Sequence, residues 1–163
     1  MGKEKWKFKI HGSVVSSPVL SPNGVLYSGN KDNNLYALDA SSGNERWRFG
    51  TGAAIMCSPI LSTNRDVVFF GSRSNHLYAI DASSGNKRWV VGTDGYVDCS
   101  PVLSQNGMVF FGSWDHNLYV VDEYSGKVLC TIRTAGGIFS SPTLSTNGFV
   151  YFGSGDGNLY AIG

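Results

Sequence analysis

Three cysteines, three histidines and twelve acidic residues are the groups in this 163-residue chain best suited to chemistry, and their placement argues against it. Cys57, Cys99 and Cys130 lie too far apart for a C-x-x-C or similar metal-ligand pattern, and an odd number cannot all pair. They read as small buried apolar residues. His11, His76 and His116 are expected in loops between strands, and the serines recur at regular intervals, so no nucleophile and base are singled out. Asp39, Asp81 and Asp122 are expected to close turns, which leaves no oxygen cluster for a hard cation such as calcium. No catalytic residue, metal or cofactor is assigned.

Charge and hydropathy narrow the partners. Thirteen basic residues against twelve acidic ones leave a formal charge of +1 with no run of five like charges, so neither nucleic acid nor an anionic membrane is expected to bind. No apolar stretch approaches the roughly 18 residues of a membrane helix. The first residues, Met1 to Trp6, lack the apolar core of a signal peptide, and the compartment stays open.

Short strands must position whatever site exists. Twenty-one glycines, 13% aromatic residues and many Asn-Gly or Ser-Gly pairs between β-branched runs indicate an all-β chain with tight turns. Ser-Pro recurs at Ser17-Pro18, Ser58-Pro59, Ser100-Pro101 and Ser141-Pro142, at steps of 41, 42 and 41. Leu-Tyr follows in step at Leu35, Leu77, Leu118 and Leu159. Hairpin signals at Asn23-Gly24, Asn106-Gly107 and Asn147-Gly148 are matched in the second copy by Asn64-Arg65-Asp66, which carries the extra residue.

Each copy holds four short strands, the pattern of one antiparallel propeller blade, which must stack on neighbours to bury both faces. The copies span residues 14–54, 55–96 and 97–137, with a fourth split between 138–163 and 1–13, all within one module. Gly2 precedes Ser17 by 15 residues as Gly43 precedes Ser58, so the first residues are the outer strand of a blade whose inner strands come last. Two closures satisfy this split blade: a four-bladed ring closed within the chain, or half of an eight-bladed ring made by two chains.

The motif A-x-D-x-x-x-G-x-x-x-W is now legible in Ala37, Asp39, Gly43 and Trp47, and again in Ala79, Asp81, Gly85 and Trp89. The third copy keeps Asp122 and Gly126 but has Cys130 for the tryptophan, and the split copy offers Gly2 and Trp6. This resembles the tryptophan-docking repeat of pyrroloquinoline-quinone-type β-propellers over the whole chain. An Asp that closes a turn, a Gly at positive φ and a Trp that packs between blades also make physical sense on their own. Trp114-Asp115, the one Trp-Asp pair, falls in a turn, so a WD-type repeat fits less well.

The resemblance implies a quinone held by a vicinal disulfide and calcium ligands in the enzymes of the family, and this chain has no Cys-Cys pair. It also implies a ligand side where the loops before each first strand meet the hairpins between second and third strands. There the copies differ: Lys31 becomes Arg73, Trp114 and Gly155, and Val15 becomes Met56, Asp98 and Phe139. With His11 and Tyr96 nearby, the candidate binding residues are His11, Met56, Arg73, Tyr96, Asp98, Trp114 and Phe139. The expected function is a non-catalytic scaffold for protein or ligand binding, extracytoplasmic by resemblance, with a second copy as one partner. A fragment of a quinoprotein dehydrogenase and a small-ligand sensor remain as alternatives.

Overall fold

A computed structural model describes residues 2–163. The first sheet comprises β1 (Val19–Leu20), β2 (Val25–Gly29), β3 (Asn34–Asp39) and β4 (Glu45–Gly50), paired in that order. The second holds β5 (Ile60–Leu61), β6 (Val67–Ser72), β7 (His76–Asp81) and β8 (Lys87–Gly92). The third holds β9 (Val102–Leu103), β10 (Met108–Gly112), β11 (Asn117–Asp122) and β12 (Val128–Arg133). The fourth has three strands, β13 (Thr143–Leu144), β14 (Val150–Gly153) and β15 (Leu159–Ile162). Every pairing is antiparallel, and His76 opens β7 instead of lying in a loop.

Turn chemistry sets the register. In the first hairpin Gly24 sits at φ 77° and donates its N–H to the Ser21 carbonyl, while the Ser21 hydroxyl accepts from Val25 N–H. Arg65 takes the same left-handed place in the longer second turn, at φ 61° and with its N–H on Ser62. The backbone geometry is kept at the cost of a strained non-glycine residue.

The core lies between blades. Val25, Tyr27, Leu35 and Ala37 of the first pack on Val68, Phe70, Tyr78 and Ile80 of the second. Equivalent clusters join the second blade to the third and the third to the fourth. In each gap a side chain from the segment before the first strand plugs the space over a glycine: Ile55 over Gly29, Val97 over Gly71 and Ile138 over Gly112. All three plugs are fully buried, and a methyl on any of these glycines would lie within 2.4 Å of one.

The chain is an open arc. Residues 2–10 form no strand and make no bridge to β15, so the four-bladed ring closed within one chain is not formed. Trp6 instead anchors the N-terminal segment on the first blade, at the opposite end of the arc from β15.

Candidate functional site

The repeat motif is structural throughout. Asp39 Oδ1 accepts the N–H groups of Ser41 and Ser42 at 3.0 Å, and Gly43 follows at φ 74° with its N–H on the Asp39 carbonyl. Asp81 and Asp122 close the same turn through Ser84 and Ser125. The Arg46 guanidinium and the Ser41 hydroxyl hold the Asp39 carboxyl well below the usual carboxylate range. Asp81 is lowered by Ser83 and then Arg88, and Asp122 by Ser125. These charges are committed to turns and are poor candidates for catalysis.

Two tryptophans of the repeat motif, Trp47 on β4 and Trp89 on β8, reach from an outer strand to the next blade. Trp47 Nε1 donates to Ala82 O at 3.2 Å and Trp89 Nε1 to Glu123 O at 3.1 Å, each ring lying on the turn glycine, Gly85 or Gly126. Trp6 docks on Gly43 in the same way and donates to Ala40 O at 3.0 Å. A Cβ at Gly43 would meet the Trp6 ring at 2.6 Å, so glycine is required here for space as well as for φ.

Two cysteines are explained by a position that the motif did not reveal. Cys57 Sγ donates to Gly71 O and accepts from Gly71 N–H, and Cys99 does the same with Gly112. Ser16 and Ser140 make the equivalent pairs with Gly29 and Gly153. The signal was present in the sequence, two residues before each Ser-Pro proline. Burial pushes both thiols up to about 12, while Cys130 is exposed on β12.

The seven candidate binding residues separate into a joined set and two outliers. Arg73 grips Asp98 at 3.0 Å and places its guanidinium over the Tyr96 ring, 5.4 Å from the centroid. Tyr96 packs on Trp114 at 5.4 Å, and Trp114 meets Phe139 edge-on at 4.7 Å. The three rings are 41–49% exposed and form a continuous row over the second, third and fourth blades. Phe139 rests on Gly155, where a Cβ would meet its ring at 2.9 Å. Met56 is half-buried and His11 exposed, and among the described residues no hydrogen bond or ring contact links either to the row.

A cleft of about 510 Å³ between the third and fourth blades was not foreseen. Phe110 lines it together with Leu103, Met108 and Leu144. Its counterparts Tyr27 and Phe69 are covered by Trp47 and Trp89 at 5.6 and 5.4 Å, whereas the third blade has Cys130 in the tryptophan position. Among the described residues no group of three or more His, Cys, Asp or Glu gathers as metal ligands. The arrangement can stack and clasp a partner.

The family described as outer membrane protein assembly factor BamB matches residues 1–105. The crystal structure of BamB from Moraxella catarrhalis superposes with a TM-score of 0.83 at 22% identity, over 97% of this chain and 49% of that one. The chain therefore spans about half the length of that protein. The computationally designed Ika4 protein superposes with a TM-score of 0.85 at 17% identity, over 99% of this chain and 98% of that one. No curated protein sequence matches. At these identities the structural likeness is one of fold.

Proposed function

The chain belongs to the family of the outer membrane protein assembly factor BamB, and on that premise we propose that it is a non-catalytic, extracytoplasmic propeller scaffold that binds protein partners, a second copy of itself among them. The row Tyr96–Trp114–Phe139 carries this reading. These half-exposed rings touch one another across three blades, and aromatic side chains flanked by Arg73 are the residue types that dominate protein interfaces. Their spacing across successive blades suits an extended segment presenting apolar side chains.

Random peptides displayed on phage and selected on the immobilised chain test this. Enrichment of apolar extended sequences, with binding weakened about tenfold or more in the Trp114→Ala/Phe139→Ala variant at unchanged melting temperature, is the expected result. Failure to enrich any peptide, or binding indifferent to the two substitutions, overturns the reading.

A further inference from the structure

The two ends of the arc are complementary surfaces that this chain leaves unmet. The face of the first blade towards the second is sealed, with Val25, Tyr27, Leu35 and Ala37 at most 3% exposed. Their counterparts on the fourth blade are Phe149, Tyr151, Leu159 and Ala161; Phe149 is 39% and Leu159 79% exposed. At the other end Val14 is 53% exposed, although its counterparts Ile55, Val97 and Ile138 are fully buried. Each of those three fills the space over a glycine of the preceding blade, and the fourth such glycine, Gly153, has only Ser140 near it.

The N-terminal segment already lies where an outer strand belongs. Trp6, Phe8 and Ile10 are half-buried and Lys5, Lys7 and Lys9 exposed, the alternation of a strand. Phe8 meets Tyr36 edge-on at 5.5 Å and 63°, repeating the contact of Phe49 with Tyr78 at 5.5 Å and 62°. A serine series runs across the blades as well: Ser17 N–H donates to Ser58 Oγ, Ser58 to Ser100 and Ser100 to Ser141. Among the described residues nothing continues it beyond Ser141.

We propose that the fourth blade is completed in trans, with the segment around Trp6 of one copy serving as the outer strand against β15 of a second. The register follows from the other blades, where Ala37 faces Trp47 and Leu35 faces Phe49. It places Trp6 opposite Ala161, Lys7 opposite Tyr160 and Phe8 opposite Leu159, while Val14 plugs the space over Gly153. The arc matches about half of the BamB chain, 49%, in keeping with a turn completed by two copies of four blades each and closed by two identical seams. This rests on the self-association included in the scaffold reading, but the row at Trp114 takes no part in it, so peptide binding and ring closure fail independently.

Cross-linking decides it in a Cys130→Ser background. Phe8→Cys and Leu159→Cys face one another across the proposed seam, within the reach of a cross-strand pair. Mixed single variants are expected to give, on oxidation, a disulfide-linked species with the mass of two chains, and the double variant should convert wholly to it. A disulfide formed inside one chain, or none, overturns the proposal. Light scattering on Leu159→Asp gives a second reading, because this side chain is 79% exposed in the single arc, whose fold does not need it. The mass of the particle should fall from that of two chains to that of one. A wild type that already has the mass of a single chain at low micromolar concentration, a variant whose mass does not change, or a series beyond two copies overturns closure by two copies.

Discussion

The guanidinium of Arg73 crosses from the second blade to hold the Asp98 carboxylate at 3.0 Å, at the gap position where Trp114 meets Phe139 one blade later. Both pairs join the hairpin residue of one blade to the residue three before the Ser-Pro proline of the next. The variable positions are thus coupled pairwise across two of the gaps, by an ion pair at one and by edge-on rings at the next.

Arg73→Ala is expected to cost about 1 kcal/mol in denaturant unfolding. Asp98, whose side chain is 13% exposed beside Arg73, loses its partner, while the 38% exposure of Arg73 keeps the loss small through solvent screening. Asp98→Ala in the same background should cost less than it does alone, which a double-mutant cycle measures.

Trp47→Ala should cost about 3 to 5 kcal/mol, since it removes a large ring from the gap between the first two blades and bares Tyr27. Trp47→Phe, which loses chiefly the Nε1–Ala82 hydrogen bond, should cost about 1 kcal/mol. Equal losses would show that the indole N–H, and not the packing, holds the blades.

Only Cys130 should react with a thiol reagent in the native chain, all three cysteines doing so after unfolding, because burial raises Cys57 and Cys99 to about 12. Cys57→Ser should be nearly neutral, as Ser16 and Ser140 already fill this role. Cys57→Ala should cost about 1 to 3 kcal/mol by leaving the Gly71 N–H and carbonyl unanswered.

Acid should weaken the fold through its turn carboxylates. Asp39, Asp81 and Asp122 are lowered from an ordinary value of 3.8, so their contribution is complete above that value and is lost as pH falls towards their folded values. The melting temperature should be level from about pH 7 to 5 and decline below about pH 4. Asp81→Asn should flatten the decline.

Pyrroloquinoline quinone with calcium should produce neither a shift in melting temperature nor dye-linked alcohol oxidation. A ligand bound selectively to the native state would raise the transition by mass action.

The spacing of Ser-Pro, Leu-Tyr and Asn-Gly is enough to read an all-β chain of four-stranded antiparallel units, because strand length and turn type are local properties. The rim positions also stood out, as departures from the repeat at Trp114 and Phe139. Their stacking did not, since it depends on how far one hairpin reaches across a gap. The offset of Gly2 from Ser17 assigns the segment around Trp6 to the outer edge of the split blade, but whether that edge belongs to the same copy or to another is non-local information, and within one chain the segment forms no strand. The cleft beside Phe110 had a visible cause, Cys130 in a tryptophan position, whose effect needed the neighbouring blade to be seen.

The seating of Ile55, Val97 and Ile138 over glycines gives every seam the same polarity, with a knob on one side and a socket on the other. A body with a free socket at one end and a free knob at the other is a monomer in the polymer chemist's sense, able to add units indefinitely. Its curvature alone decides whether growth ends in a closed figure or runs on as a helix. The wedge angle between blades therefore acts as a counter, and it is set where each knob meets its glycine, as at Gly112, where even a Cβ would meet Ile138 at 2.2 Å.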